Sequence, residues 1–471
     1  MKKLTPVFVL AGAAGLTACS PKLPEHPNLI YILADDLGYG DIGVNGQKLI
    51  QTPNIDRLAA EGMQFSQHYA GSTVCAPSRC CLMTGMHTGH AVVRGNRPMK
   101  PEGQAPMPEG TVTIAQLLHD AGYVTGMFGK WGLGGPGSVS EPMNAGFDEF
   151  YGYNCQRHAH RYYTDYLWHN RERDSLPENR NNQMVTYSQD KIMEHLLQFI
   201  RDNHDTTFFL YAPFTLPHAA LQVPDEDREP YMGQFKETPF RGGYYRAQEY
   251  PKATYAGMVS RLDKDVGRIV SLVRKLGIAD HTLVIFTSDN GPHKEGGADP
   301  DFFDSNGIFR GYKRDLYEGG IREPFIVWWP GIIAEGSHSD HLSAFWDFMP
   351  TACDLAGISS PEDIDGISYL PALLGRHQPA HDYLYWEFHE QGGKQAVRKG
   401  DWKAVRLHVS SKEHPATELY NLAVDSSETH DVSGEEPEIL KEMEAIMETA
   451  HTPDPKWPLL FSEKKRGEQS N

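Results

Sequence analysis

At 471 residues the chain exceeds the size at which one hydrophobic core usually stops growing, so a large domain with a smaller companion is expected. Hydrophobic residues at 39% and aromatics at 11% exclude a disordered chain, and after the first twenty residues no apolar stretch is long enough to span a bilayer. With 62 acidic against 44 basic residues the formal charge is −18, which argues against nucleic-acid partners and adsorption to an anionic membrane surface.

The N-terminus places Lys2 and Lys3 before an apolar run from Leu4 to Leu16, the layout of a secretory signal. The run ends in Leu16-Thr17-Ala18-Cys19, which resembles the lipobox of bacterial lipoproteins. That resemblance implies a signal peptide over 1–18, lipidation of Cys19, a short tether over 19–27 and an exported protein held at a periplasmic or cell-surface membrane. An ordinary signal peptide with a chance cysteine is the alternative. Stable anchoring would take more than one acyl chain.

Short apolar, β-branched or aromatic runs follow at Asn28 to Ala34, Tyr123 to Phe128, Thr207 to Ala212, Leu283 to Thr287 and Phe325 to Trp329. Each leads through turn residues into a helical pattern, which predicts a large, mainly parallel sheet covered by helices on both faces. From Ala253 to Leu276, Met258, Leu262, Val266, Ile269, Val270 and Val273 recur at helical spacing, and Gly277 ends the run. After about residue 375 the texture changes. Tyr383 to Phe388, Ala396 to Arg398 and Trp402 to Leu407 read as antiparallel strands, and Glu435 to Thr449 as a helix, so a main domain over 28–375 and a small α+β subdomain over 376–471 are expected, with a frayed charged tail after Pro458.

In an open parallel sheet, ligands bind beyond the carboxyl ends of the strands. The first strand ends in Asp35-Asp36 and the run Leu283 to Thr287 leads to Asp289-Asn290: three carboxylates and an amide, hard oxygens that suit calcium or magnesium rather than zinc. Other strand ends supply Lys130 and His218. Between the first two predicted strands lies Ser72-Thr73-Val74-Cys75-Ala76-Pro77-Ser78-Arg79-Cys80-Cys81-Leu82-Met83-Thr84-Gly85, in which Pro77 suits the first turn of a helix and sets Cys75 at its positively polarised end. Cys80, Cys81, Cys155 and Cys353 remain for burial or for at most two bridges.

Cys-x-Pro-Ser-Arg followed by Leu-x-Thr-Gly resembles the signature of the type I, formylglycine-dependent sulfatases. The resemblance runs from Asn28 through Leu422 and includes Thr52-Pro53-Asn54-Ile55-Asp56-Arg57-Leu58, Gly129-Lys130-Trp131, Gly146-Phe147-Asp148, Ser288-Asp289-Asn290-Gly291, Tyr317-Glu318-Gly319-Gly320-Ile321-Arg322 and Glu418-Leu419-Tyr420-Asn421-Leu422. It implies an alkaline phosphatase-like fold and hydrolysis of sulfate esters. By it, a formylglycine-generating enzyme oxidises Cys75 during biosynthesis; one hydroxyl of the hydrated aldehyde attacks sulfur as the substrate's alcohol leaves, and the second then expels sulfate from the hemiacetal ester and restores the aldehyde. A calcium ion, or magnesium, would be held by Asp35, Asp36, Asp289, Asn290 and the modified Cys75. Arg79 would steady the nucleophile, Lys130 and Lys313 would contact the sulfate, and His218 would protonate the leaving sugar oxygen.

One departure stands out. Many members carry Gly-Lys-Trp-His-Leu-Gly, whose histidine assists the nucleophile, whereas this chain reads Gly129-Lys130-Trp131-Gly132-Leu133-Gly134. Either that step runs without a direct base, or another residue, with His158 and His160 as candidates, takes it over. The polar, basic and aromatic segment Tyr151 to Tyr163 suits a sugar ring, with Arg157, His158 and His160 as contacts and Pro292-His293 and Asp299 to Asp304 as the facing wall. A sulfated glycan is the expected partner, with galactose or N-acetylgalactosamine sulfate preferred. Rival readings are a phosphonate or phosphate ester hydrolase of the same superfamily and a catalytically silent, glycan-binding lipoprotein whose case rests on Gly132.

Overall fold

The computed structural model describes residues 23–469; the predicted signal peptide and Cys19 lie outside the described residues. Five strands run parallel side by side in the order Thr282–Ser288, Asn28–Ala34, Phe208–Pro213, Val124–Lys130 and Glu149–Tyr153. Phe325–Trp328 pairs antiparallel with the first of these, and Met63–Phe65 and Ser337–Ser339 complete that edge. A hairpin of Tyr166–His169 and Glu172–Ser175 completes the other, giving ten strands.

The first strand shows why its sequence is apolar throughout. Leu29, Tyr31 and Leu33 enter one core while Ile30, Ile32 and Ala34 enter the other, so a period of two is hidden beneath burial on both faces. Helix Pro251–Lys275 covers one face with Met258, Leu262, Val266, Ile269 and Val273, beside helix Ser188–Asp202. Its proline occupies the first helical position, where no amide partner is missed, and Gly277 beyond its end takes a left-handed φ of 72°. Helices Cys75–Thr84, Ile114–Asp120 and Phe348–Ala356 contribute to the core of the opposite face. The strands that the sequence pattern missed are short. Glu172–Ser175, a polar Glu-Arg-Asp-Ser edge, carries no apolar alternation to read.

Leu384–Phe388, Lys394–Lys399, Trp402–Leu407 and Thr417–Asn421 form an antiparallel meander. Helix Pro437–Thr449 packs Met443 and Met447 against Tyr385, Val397, Ala404 and Leu419 on one face, while Trp386, Phe388, Ala396 and Val405 join the main core on the other. The expectation of a frayed tail after Pro458 is corrected: Phe461–Gln469 is helical. The Glu463 carboxylate accepts from the Leu459 and Leu460 amides at 2.9 and 3.1 Å, which pins its first turn. Cys75, Cys80, Cys81, Cys155 and Cys353 are free and buried, so of the two alternatives for the last four the structure takes burial.

Candidate active site

The carboxyl ends of the parallel strands deliver the polar groups in one place. Asp35 and Asp36 follow Ala34, and Asp36 adopts a left-handed φ of 64°, turning successive carboxylates into the same region. The strand ending at Ser288 delivers Asp289, whose Oδ1 accepts the Asp36 amide at 3.1 Å. Asn290 Nδ2 donates to Asp36 Oδ1 at 2.7 Å. Helix Cys75–Thr84 begins at Cys75 and lies wholly buried, so its N-terminal residue enters this cluster with Sγ 3.4 Å from Asp35 Oδ1. Ser78, one turn on, donates to the Asp289 carbonyl at 2.6 Å and locks the helix to the strand end.

Three cations face the three carboxylates. Arg79 donates through Nε and Nη2 to Asp289 Oδ2 at 3.1 and 2.8 Å and through Nη1 to the Lys130 carbonyl at 2.5 Å. Lys130 Nζ lies 2.5 Å from Asp35 Oδ2, and Lys313 Nζ 2.7 Å from Asp36 Oδ2. Every one of these side chains is buried. Burial pushes Asp35 up, but Lys130 and the other nearby cations outweigh it and hold the carboxyl well below the usual range. Asp289 goes the other way: burial first, then the neighbouring Asp35 charge, push it up to about 7. Burial and Asp35 also push the Cys75 thiol up, so an unmodified cysteine here is a neutral thiol rather than a thiolate.

This donor set fits a hard divalent cation. Asp35, Asp36, Cys75 and His218 bring ligand atoms within 4.8 Å of one another, Asn290 Oδ1 is buried without a hydrogen-bond partner, and the crowding that raises Asp289 is relieved by added positive charge. Arg79, Lys130 and Lys313 balance the carboxylates one for one, so a bound dication leaves the pocket net positive, as an anionic substrate requires in a chain of charge −18.

His218 stands over Lys313. Its Nδ1 donates to the Ala219 carbonyl, which fixes the tautomer and leaves Nε2 to accept from Lys313 Nζ at 3.2 Å. Burial, with Lys313 next, keeps this imidazole neutral. His160 stacks on it with centroids 4.8 Å apart and planes within 10°. Burial and the charges of Lys130 and Lys313 push His160 down to about 3. His293 is buried behind His218, with rings 5.7 Å apart, and its Nδ1 accepts the Glu295 amide at 3.1 Å. The two remaining sugar-contact candidates are placed differently. His158 turns to Thr164 Oγ1 at 2.7 Å and Glu102 at 3.5 Å, and Arg157 is exposed. In the predicted facing wall, Asp299 and Asp301 pair with Lys252 and Lys294.

Three residues escaped the sequence reading. Glu295 lies 2.6 Å from Arg314 and 4.0 Å from Lys313, and accepts from the Tyr245 hydroxyl at 2.5 Å. Its position two residues past His293, in the loop after a ligand-bearing strand end, was the available signal. Tyr245 sits in a stretch with no periodicity and gave none. Gln156 is the third. A Cβ placed on Gly132, whose φ is 86°, would meet Gln156 Nε2 at 3.2 Å, and that amide nitrogen is buried with no partner. The space beside Gly132 is therefore lined by an amide.

Its family and its relatives make this chain a sulfuric ester hydrolase. The sulfatase family model matches residues 27–358, and this chain belongs to that family. A second model, N-sulphoglucosamine sulphohydrolase, C-terminal, matches residues 306–452. The chain is 34% identical to the N-acetylgalactosamine-6-sulfatase of Rattus norvegicus over 98% of its own length and 85% of the relative's. It is 29% identical to the N-acetylgalactosamine-6-O-sulfatase of Bacteroides thetaiotaomicron, over 96% of this chain and 99% of that one. Among solved structures, Ps i-CgsB in complex with k-i-k-neocarrahexaose superposes with a TM-score of 0.79 at 30% identity, covering 94% of this chain and 97% of that one. The phosphonate monoester hydrolase of Agrobacterium radiobacter shares the fold with a TM-score of 0.66 at 20% identity, over 90% of this chain and 96% of that one.

Proposed function

We propose that this enzyme is an exported carbohydrate sulfatase, anchored through Cys19, that removes sulfate from a galactose or N-acetylgalactosamine unit of a glycan. The observation that carries the reading is the burial of Cys75 at a helix N-terminus against Asp35, within a ring of three cations. The relatives named for N-acetylgalactosamine-6-sulfatase activity support the sugar. Asp35, Asp36, Asp289, Asn290 and residue 75 would hold a calcium ion, which would supply Lewis acidity toward the sulfate, and a formylglycine made from Cys75 would supply the nucleophile.

The chain's own groups do the rest. Arg79 fixes Asp289 and the Lys130 backbone, so the ligand set and the sulfate-facing lysine move as one unit. Lys130 and Lys313 present ammonium groups to the sulfate oxygens inside a dry pocket, where such contacts are strongest. Lys313 donates to His218 Nε2, so transfer of that proton to Nε2 would let His218 protonate the leaving alkoxide and leave Lys313 as the neutral amine. Gln156 takes the place a side chain at residue 132 would fill and donates its free N–H to the nucleophile. His160, stacked on His218, keeps that imidazole's orientation, and His158 has no part in the chemistry.

Mass spectrometry of the residue-75 peptide from native cells, with sulfate release over a panel of sulfated monosaccharides and a phosphate monoester control, tests this reading. Formylglycine at residue 75 and sulfate release from 6-sulfated N-acetylgalactosamine or galactose is the expected result. An unmodified cysteine in active protein, or preferential phosphate release, overturns it.

A further inference from the structure

Between Tyr231 and the helix that begins at Pro251 the chain runs out over the site and returns. Phe240 and Gln248 close this excursion with paired backbone hydrogen bonds of 2.8 and 2.9 Å, and Gln248 Nε2 ties its base to the Leu221 carbonyl at 2.8 Å. The enclosed sequence is Arg241-Gly242-Gly243-Tyr244-Tyr245-Arg246-Ala247. Gly242 and Gly243, with φ of 92° and 155°, permit the reversal that carries the two tyrosines across the mouth.

The tyrosines continue a row of rings that starts in the buried centre. His293 stacks on His218 and His218 on His160; Tyr245 lies 5.2 Å and Tyr244 5.7 Å from His160, and the two tyrosines are perpendicular with centroids 5.0 Å apart. Tyr245 is held from within by Glu295, which also pairs with Arg314. Tyr244, by contrast, is 73% exposed. A fixed aromatic neighbour beneath an exposed tyrosine, at the end of a row leading to the leaving-group side, is the geometry of a stacking platform for a sugar ring. Arg241 and Arg246 flank it and are both exposed, and among the described residues neither has an ion-pair partner. Two uncompensated cations on a chain of charge −18 are a local attraction for an anion.

We propose that the hairpin Phe240–Gln248 is a subsite for the sugar unit adjoining the one that loses its sulfate, and that it selects an anionic oligosaccharide, with Tyr244 stacking on the ring and Arg241 and Arg246 pairing with its carboxylate or sulfate. This deepens the carbohydrate-sulfatase reading and rests on it. Stacking and exposed charge pairs act in ground-state binding, so the subsite governs KM for extended substrates.

The test compares kcat/KM on a 6-sulfated galactosaminoglycan tetrasaccharide with that on a small aryl sulfate for the wild type, Tyr244→Ala, Tyr244→Phe and Arg241→Ala/Arg246→Ala. Binding of the same tetrasaccharide to Cys75→Ser protein is measured alongside. Tyr244→Ala is expected to lower the tetrasaccharide-to-aryl ratio about 10-fold through KM, with Tyr244→Phe recovering most of it. The arginine pair is expected to flatten the salt dependence of tetrasaccharide KM. Equal losses on both substrates, or an unchanged ratio and unchanged tetrasaccharide binding, overturn the subsite. If the wild type with residue 75 fully converted releases sulfate from neither substrate, the sulfatase reading itself falls; variants that match an active wild type sink the hairpin alone.

Discussion

Two buried charge clusters in this molecule pair carboxylates with cations and differ in how their polar atoms are engaged. At the strand ends, Asp35, Asp36 and Asp289 face Arg79, Lys130 and Lys313. Where the C-terminal sheet meets the main domain, Glu318 and Glu428 face Lys403, Arg322 and Arg398. Glu318 has both oxygens engaged, by Lys403 at 2.9 Å on one side and by the Tyr69 hydroxyl and Arg322 at 2.6 and 3.0 Å on the other. Burial works against its charge, yet Lys403 and the two arginines hold it down at about 2. The strand-end cluster instead leaves Asn290 Oδ1, on the side chain whose Nδ2 donates to Asp36, without a partner. Glu318 forms a closed structural joint, whereas the strand-end cluster is arranged to receive something else.

The sharpest way to break that contrast is to remove one member of each cluster. Cys75→Ala is expected to cut kcat on the order of 10⁴-fold or more while leaving the thermal midpoint within a few degrees of wild type, read by sulfate release and calorimetry. Lys403→Met should do the reverse: a loss of about 3–5 kcal/mol in denaturant unfolding, because Glu318 and Glu428 stay buried beside each other, with turnover per folded molecule retained. A stable, active Lys403→Met protein would show that the joint is dispensable.

A smaller effect is expected at Gln156. Removing one preorganised donor from a dry site costs on the order of 100-fold in kcat, so Gln156→Ala should show that loss with KM nearly unchanged and residue 75 fully converted by mass spectrometry. Gln156→Met restores the volume without the N–H; if it also restores turnover, Gln156 only fills space.

Gln156 also marks where the sequence stopped being legible. The strand ends were readable because Asp35-Asp36, Lys130, His218 and Asp289-Asn290 each follow an apolar run that topology forces to one side of a parallel sheet. The motif around Cys75 was legible for a similar reason, since Pro77 marks the first turn of the helix that begins at Cys75. What failed to show was contact between segments far apart in the chain or without periodicity. Gln156 lay inside the Tyr151 to Tyr163 segment already singled out, yet its histidines drew attention because they titrate, and His158 turned out to serve Thr164 and Glu102. Tyr244 and Tyr245 sit in an aperiodic loop whose place over His160 no local pattern encodes. The short edge strands were missed because polar four-residue segments gain their pairing from neighbours rather than from propensity.

The smallest effect tests whether structural charge in the C-terminal region reports on stability alone. His451 lies between Glu387 at 2.7 Å through Nδ1 and Glu463 at 2.7 Å through Nε2, so its imidazole spans the C-terminal sheet and the terminal helix. Burial opposes its charge, but the two carboxylates prevail and raise it from 6.5 to about 9. A folded-state value above the unfolded one means that the protonated form favours folding. The contribution is then fully present below about pH 6.5, declines as pH rises, and is lost as pH passes about 9. Allowing for solvent screening, it amounts to about 1–2 kcal/mol. Denaturant unfolding of wild type and His451→Gln between pH 6 and pH 10 should show a gap at the acid end that closes toward pH 9. Turnover per folded molecule should follow the same pH profile in both proteins, because this titration acts on the joint and not on the nucleophile. A shifted profile in the variant would mean that the C-terminal cluster is coupled to the site, and that the division drawn between the two kinds of buried charge is too clean.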